Sequence, residues 1–199
     1  VFHLVTYILV YTTGNYSMKT NLSKYDNSWY DPGAGLVKRT LWFIVNVVFF
    51  QCPLNPFSSL KVFLLRLFGA KIGKKVCIKP SVNIKYPWRL FVGSNVWIGE
   101  SVWIDNLADV VIEDNVCISQ GVMLLCGNHN YKKETFDLMI GKIIIKKGAW
   151  VGARSIVCSG IIFNEGAILT VGSVANRNLE EYAIYQGIPA VKIRNRNIN

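Results

Sequence analysis

Histidine is scarce in this sequence, and cysteine is present without a metal-binding arrangement. Only His3 and His129 occur among 199 residues, and the five cysteines include no Cys-x-x-Cys pair. Zinc sites draw their ligands mainly from several closely spaced cysteines and histidines. A structural or catalytic metal site is therefore not expected. The odd number and wide scatter of the cysteines also argue against a disulfide framework and favour a reducing, cytoplasmic location.

Acidic residues are also few, with 12 Asp and Glu against 22 Lys and Arg, for a net charge of +10. This excess favours an anionic partner, of which nucleic acids, acidic membrane surfaces and phosphorylated small molecules are the classes to consider. The basic residues never run longer than two in a row. This spacing does not form the basic stripe that is typical of nucleic-acid binding, so nucleic acid is not an expected partner.

No apolar run is long enough to span a bilayer as a helix, which takes about 20 residues. The chain begins with the apolar stretch VFHLVTYILVY, without a basic region before it. We expect natural translation to start at Met18, so that residues 1–17 are not native, and we interpret residues 1–23 as a leader or disordered segment. A truncated signal or anchor is the alternative, and His3 is a poor catalytic candidate in either case.

Two further apolar runs, residues 41–50 and 60–70, are separated by the breaker-rich QCPLNPFSS and predict two helices within a cap over residues 24–71. Basic side chains accompany both runs. Two roles stay open for residues 36–69: a peripheral contact with an anionic membrane at its inner face, or closure of the open end of the main domain.

A hexapeptide repeat begins at residue 72, with an aliphatic residue at every sixth position. Examples are VGSNVW (92–97), IGESVW (98–103) and IKKGAW (145–150). Aliphatic positions also recur 20 residues apart, so three hexapeptides and two further residues make one coil. Residues 72–176 therefore predict an all-β fold, a parallel β-helix of about five coils, whose ends need capping. Residues 177–199 are predicted to be a carboxyl-terminal cap and tail.

The repeat breaks once, between Leu124 and Ile145, where the chain contains 15 residues more than one hexapeptide needs. We predict an inserted loop over residues 130–144 with His129 at its root. An insertion at the edge of a rigid scaffold is a suitable place for a site. A histidine there can act as a general base, although a lone histidine can equally be an ordinary polar residue.

From Lys24 onward the chain resembles the WcaF-like sugar O-acetyltransferases of exopolysaccharide and colanic acid biosynthesis, in the hexapeptide-repeat acyltransferase family. The matching stretches are YDNSWYDPG, LRLFGAKIG, KYPWRL, GSNVWIGESVWIDNLADV, CISQGVMLLCGNHNY, GAWVGARSIV and YQGIPAVKIR. The resemblance implies a left-handed β-helix, acetyl-CoA as co-substrate and His129 as the catalytic base. His129 would take the proton of a sugar hydroxyl that attacks the thioester. Asn130 stands where the family commonly has an aspartate.

Several residues near His129 are candidates for binding the sugar acceptor. On the 20-residue period Asp109 is predicted one coil beneath His129, and one nearby polar side chain is expected to orient the imidazole or bind a sugar hydroxyl. A role as a polar turn residue stays open for each. The candidates are Asp105, Asn106, Asp109, Asn128, Asn130 and Tyr131.

The resemblance also implies that CoA lies in a groove between adjacent subunits of a homotrimer. Backbone groups of the last coils and basic residues near the carboxyl end would hold it. The matching positions are Trp150, Gly152, Ala153, Ser155, Gly172, Ser173, Asn176 and Arg177, with Lys192 and Arg194 as phosphate ligands.

Three alternatives stay open at this point. Cys126 could form an acyl-cysteine intermediate, although its predicted place in the strand before the loop favours a buried, inert thiol. The acceptor could be an amino group of an amino-sugar nucleotide instead of a hydroxyl group of a sugar or lipid-linked oligosaccharide. The β-helix could also be a non-catalytic scaffold.

Overall fold

The computed structural model describes residues 19–198, so the interpretation of residues 1–18 and His3 lies outside the described part. Of the predicted leader or disordered segment, residues 19–23 are described, and the last of them enter a turn. Leu22–Lys24 form a 3₁₀ turn capped by the Asn21 side chain, and the Asn21 amide donates to the Glu134 carbonyl over 2.8 Å. The predicted boundary at residue 24 therefore falls within a turn that contacts the inserted segment.

The main body is a stack of short strands. In chain order they are β1 (Lys71–Ile72), β2 (Cys77–Ile78), β3 (Asn83–Ile84), β4 (Leu90–Val92), β5 (Trp97–Ile98), β6 (Trp103–Asp105), β7 (Val110–Ile112), β8 (Cys117–Ile118), β9 (Met123–Leu125), β10 (Gly127–His129), β11 (Leu138–Ile140), β12 (Ile143–Ile145), β13 (Trp150–Val151), β14 (Ile156–Val157), β15 (Ile162–Phe163), β16 (Ile168–Leu169), β17 (Val174–Ala175), β18 (Ala183–Gly187) and β19 (Ala190–Asn195).

Three parallel sheets form the faces of the β-helix, in the orders β1-β4-β7-β12-β15, β2-β5-β8-β13-β16-β18 and β3-β6-β9-β14-β17. The predicted all-β parallel β-helix is confirmed, and β18 begins a sixth turn. Val92 pairs with Ile112, as the 20-residue period requires. Beyond the insertion Ile145 pairs with Phe163, so the later coils are shortened to 18 residues.

The repeat's aliphatic positions form the core. Ile78, Ile98 and Ile118 are at most 1% exposed, and so are Val151 and Leu169. Burying each such side chain contributes about 1.5–3 kcal/mol. Glycine often follows the aliphatic residue because a larger residue would not fit there. A Cβ on Gly99, for example, would lie 2.5 Å from the Gln120 amide nitrogen of the next coil.

The amino-terminal helices cover the first coil. They are α1 (Leu36–Val45), which continues as a π-helical turn over Asn46–Phe50, and α2 (Ser58–Leu67). Trp42 is buried and its Nε1 donates to the Ile84 carbonyl over 2.8 Å. The fully buried Lys61 donates through Nζ to the carbonyls of Asn55 at 2.8 Å and Lys79 at 2.9 Å. Closure of the open end is therefore one role of the helical cap. No helix within residues 19–198 is long and apolar enough to cross a membrane.

The insertion is a β-hairpin rather than the predicted loop over residues 130–144. Strand β10 pairs antiparallel with β11, with His129 opposite Leu138. The coil then resumes at Ile143, which pairs with Val110 of β7. The sequence frame marked only Ile145 as the resumption, because the preceding isoleucines form a continuous apolar run that hides the strand's start. At the carboxyl end β19 pairs antiparallel with β18 and closes the last turn.

Candidate active site

The hairpin carries His129 away from the stacked coils and places it beside the amino-terminal segment. The His129 ring stacks on Phe136, with centroids 4.4 Å apart and planes 7° from parallel. The Tyr25 ring lies at a centroid distance of 5.8 Å. The imidazole therefore stacks on one aromatic ring from the hairpin and lies near a second from the segment before α1.

The hydrogen bonding of His129 defines which ring nitrogen is free. Nδ1 lies 3.0 Å from the carbonyl oxygen of Phe136. A carbonyl oxygen only accepts, so Nδ1 must carry the proton. In the neutral imidazole this leaves Nε2 with a lone pair, which is the form that a general base requires.

His129 lines a cleft of about 440 Å³. Much of its wall comes from residues before α1, which are not among the site residues predicted from the sequence. The available signal was the matching stretch YDNSWYDPG, whose conformation could not be read from the repeat. The other lining residues are Tyr25, Asn27, Ser28, Tyr30, Pro32, Arg39, Lys85, Tyr86, Leu107 and Leu138.

Side-chain contacts hold the amino-terminal segment against the coils and the hairpin beside this cleft. The Tyr30 hydroxyl donates to the Leu107 carbonyl over 2.8 Å. Lys24 pairs with Glu134 of the hairpin at 2.9 Å, and the Trp88 indole donates to the Pro32 carbonyl over 2.7 Å. Burial is the main cause that raises the pKa of Tyr30 well above its ordinary value, so its hydroxyl keeps the proton that it donates.

The predicted position of Asp109 beneath His129 is wrong. The hairpin leaves the coil at Gly127, and the Asp109 carbonyl instead accepts from the amide of Ile143, where the coil resumes. The Asp109 carboxylate lies 3.9 Å from Arg89 Nη1. Among the described residues, the partner that orients the imidazole is the Phe136 carbonyl and not a carboxylate. The period alone could not show this, because it assumes an uninterrupted coil.

Asp105 and Asn106 each contact a residue of the cleft wall rather than His129. Asp105 pairs with Lys85 at 2.9 Å. Asn106 is fully buried, accepting from the Tyr86 amide at 2.9 Å and donating to the Tyr86 carbonyl at 2.6 Å. Asn106 therefore positions Tyr86 and is not available to bind a sugar, which corrects its assignment as a substrate ligand.

The three candidates on the hairpin lie outside the cleft wall. Asn128 accepts from the His129 amide at 2.8 Å, and Asn130 accepts from the Lys132 amide at 3.1 Å. Both bonds stabilise the local backbone of the hairpin. Tyr131 lies beyond β10 in the hairpin and is 76% exposed. Their contact with a substrate stays a prediction.

Cys126 is buried at the end of the last regular coil before the hairpin. Burial raises the pKa of its thiol to about 11. A thiol in this environment is almost entirely protonated near neutral pH and is a poor nucleophile. The acyl-cysteine alternative is not supported by this geometry.

The predicted cofactor ligands divide by exposure. Gly152, Ser155 and Ser173 are buried. Ser155 donates to the Thr170 carbonyl over 2.8 Å, and Ser173 accepts from the Gly187 amide at 3.0 Å. These three therefore pack within the coils, and a contact of their backbone groups with the cofactor stays a prediction. The remaining candidates are at least partly exposed, and they are Trp150, Ala153, Gly172, Asn176, Arg177, Lys192 and Arg194.

Comparison with known proteins identifies the family. The chain is 34% identical over 164 residues to the putative colanic acid biosynthesis acetyltransferase WcaF of Escherichia coli (strain K12), covering 82% of this chain and 90% of that protein. This chain belongs to the WcaF-like acetyltransferases. The relatedness at this coverage makes it an acetyltransferase and confirms the resemblance seen in its motifs. No protein-family model matches the chain.

Solved structures show that this WcaF-like acetyltransferase has the left-handed β-helix of hexapeptide-repeat acetyltransferases. One is such an enzyme from Vibrio cholerae O1 biovar eltor complexed with acetyl-CoA, with a TM-score of 0.74 at 17% identity, covering 84% of this chain and 93% of that one. Another is AntD, an N-acyltransferase from Bacillus cereus in complex with dTDP and 3-hydroxybutyryl-CoA, with a TM-score of 0.60 at 20% identity and coverages of 71% and 89%.

Proposed function

We propose that this protein transfers the acetyl group of acetyl-CoA to a sugar hydroxyl in the biosynthesis of a colanic-acid-like exopolysaccharide or another cell-surface polysaccharide. The observation that carries this proposal is the state of His129. Its Nδ1 donates a hydrogen bond to the Phe136 carbonyl. This leaves Nε2 as an acceptor in a cleft lined by polar side chains.

The chemistry is direct acyl transfer. Nε2 of His129 takes the proton of the sugar hydroxyl as its oxygen attacks the thioester carbonyl. The tetrahedral oxyanion forms beside a backbone N–H at the coil edge and collapses with cleavage of the C–S bond. The imidazolium then returns the proton to the departing thiolate. During the step in which the ring is charged, the Phe136 carbonyl accepts from Nδ1–H and stabilises it.

The exposed residues of the last coils supply the cofactor groove in this proposal. Gly172 adopts a left-handed φ of +66°, and the space where its Cβ would stand is open. A pantetheine arm can therefore approach this backbone closely. Arg177, Lys192 and Arg194 are exposed cations for the phosphates, although Lys192 also pairs with Glu180 at 2.7 Å.

We also propose that the enzyme is a cytoplasmic homotrimer. Large apolar side chains point outward from the coils, including Trp97 at 66% and Trp150 at 46% exposure. Burying them between subunits would remove apolar surface from water and would bring a second chain to the cofactor groove.

A peripheral contact with the inner face of the membrane is the second part of the partner proposal. The helical cap exposes Phe43 of α1 and Phe63 and Leu67 of α2, each at 60% or more. The same helices carry the exposed cations Lys38 and Arg66. An exposed apolar face flanked by basic residues is the pattern of an interfacial helix, and it suits a lipid-linked acceptor.

N-acetylation of an amino-sugar nucleotide is the second candidate function. It is favoured by the likeness of the fold to AntD, an N-acyltransferase solved with dTDP. The same base and donor would serve both reactions, so only the acceptor separates them. A non-catalytic scaffold is not supported, because the chain belongs to a family of acetyltransferases.

The decisive experiment incubates the purified protein with radiolabelled acetyl-CoA and a panel of hexoses, 6-deoxyhexoses and amino sugars, free and linked. We expect transfer to a hydroxyl group, and a decrease of about 10²–10⁴-fold in kcat for His129→Ala. CoA binding by calorimetry and the circular dichroism spectrum should be unchanged in this variant. Cys126→Ala is the matched control and should keep its activity. Full activity of His129→Ala would refute the mechanism.

A further inference from the structure

We infer that the acceptor carries a phosphate group next to its sugar, and that Arg39 with Lys85 forms the binding subsite for this phosphate. The inference rests on the proposed function, since it specifies the acceptor of the same site. It starts from a second cavity of about 540 Å³ beside the His129 cleft. Arg39, Lys85 and Tyr86 line both cavities.

The charge at this junction is positive. Within residues 19–198, the wall of the His129 cleft contains Arg39 and Lys85 but no carboxylate. The second cavity contains one carboxylate, Asp105, which is already paired with Lys85 at 2.9 Å. A cationic surface between two cavities, with one acid for two bases, is complementary to an anion.

Arg39 has no partner among residues 19–198. Its side chain makes no ion pair or hydrogen bond there, and its Nε is buried without an acceptor. A buried donor without a partner costs free energy, and guanidinium groups bind phosphate oxygens in a fork geometry. A phosphate at this point would give the Arg39 guanidinium the acceptor that the folded chain does not supply.

The second cavity is partly apolar, and this property limits which group can be esterified to the phosphate. Its wall includes Trp42, Phe43 and Trp103, and it opens beside Leu36, which is 70% exposed on α1. Each cavity alone is large enough for a small ligand, so the pair exceeds what one sugar ring fills. The sugar would lie at His129, the phosphate at Arg39, and the group esterified to the phosphate in the second cavity.

Two kinds of acceptor share this chemistry, a nucleotide sugar and a sugar linked through pyrophosphate to a lipid. The test compares three forms of the same sugar as acceptors: free, as a nucleoside diphosphate, and as a pyrophosphate of a short polyprenol in detergent. In the native enzyme we expect at least one phosphate-bearing form to exceed the free sugar in kcat/KM. The form that is preferred identifies the group beyond the phosphate.

Arg39→Gln should reduce the ratio of kcat/KM for the phosphate-bearing form to that for the free sugar by about 10–100-fold, mainly through KM. Arg39→Lys should recover part of this ratio, because it restores the charge without the fork. Lys74→Gln, which removes one exposed charge away from both cavities, is the matched control and should leave the ratio unchanged. An unchanged ratio in Arg39→Gln would overturn the inference.

A binding measurement separates this inference from the proposed function. Inorganic pyrophosphate is titrated by calorimetry into the native protein with saturating CoA present, so that the cofactor phosphate site is filled. We expect binding that is weakened about 10–100-fold in Arg39→Gln and unchanged in Lys74→Gln. Equal binding in all three proteins overturns the phosphate subsite, even when acetyl transfer occurs. Loss confined to Arg39→Gln supports the subsite even when no acceptor in the panel is acetylated.

Discussion

The coils of the β-helix and the surroundings of His129 are built in opposite ways. In the coils each aliphatic residue repeats with the fold, so Ile78, Ile98 and Ile118 stack in one buried column. The two aromatic rings beside His129 come from elements that occur once. Tyr25 precedes the helices and Phe136 belongs to the hairpin. Arg39, which lines the same cleft, lies on α1.

This difference explains where chemistry is possible. The few polar side chains buried in the described chain use their hydrogen-bonding groups within the fold, as Asn106 does with Tyr86 and Ser155 with Thr170. A satisfied polar group inside the stack is not available to a substrate. The coils therefore provide a rigid frame, and the reactive group lies on an insertion that leaves it.

The largest expected effect tests the coil side of the comparison. Ile98→Ala removes a fully buried side chain from the middle of the second sheet's column. We expect the free energy of unfolding to fall by about 2–5 kcal/mol, from lost burial and the cavity that remains. Urea unfolding followed by circular dichroism measures this change.

Ile198→Ala is the matched control, because it deletes the same atoms from a side chain that is 65% exposed. Its expected change is within about 0.5 kcal/mol. If the two variants lost equal stability, the assignment of the aliphatic positions to a common core would be contradicted.

The same contrast governs what the sequence could predict. The coil was predictable because a period of six residues and a second period of 20 report both the strand direction and the stacking. His129 was found because the repeat breaks beside it. The orienting carbonyl of Phe136 was not predictable, since a backbone group has no residue signature and its position depends on the hairpin register.

The error at Asp109 arises because the 20-residue period is extended across an interruption. Twenty residues separate Asp109 from His129, but the hairpin intervenes. Ser155 and Ser173 are assigned to the cofactor by resemblance, and in the fold their side chains are hydrogen-bonded inside the turn. A residue whose side chain packs in the coil can still present its backbone to a ligand, so the sequence alone does not distinguish the two roles.

Cys126 sharpens the comparison because it lies at the junction between the two regions. Burial raises the pKa of its thiol to about 11 from an ordinary value of 9.0. The native state holds the thiol proton more tightly than the unfolded state does. The contribution of this protonated thiol to the free energy of unfolding is therefore fully present below pH 9. It is lost as the pH rises through 11. Between pH 8 and pH 11 the native protein should lose about 2 kcal/mol more stability than Cys126→Ala.

Urea unfolding of both proteins at the two pH values measures this difference, and the comparison between proteins cancels the titration of other groups. Ile198→Ala leaves every thiol in place, so it is the control and should lose stability with pH as the native protein does. If the free energy of unfolding of Cys126→Ala fell with pH as much as that of the native protein, the Cys126 thiol would not be buried with the coil.

The smallest expected effect tests the site side. Tyr25→Ala removes a ring that lies near His129 but is not part of the coil core. We expect kcat/KM to fall about tenfold, which corresponds to about 1.4 kcal/mol of transition-state stabilisation. The free energy of unfolding should change by less, because the ring packs on the hairpin. Leu22→Ala, at 66% exposure in the same segment, should leave both quantities unchanged. If Tyr25→Ala lowered stability as much as Ile98→Ala while activity stayed constant, the amino-terminal segment would belong to the frame and not to the site.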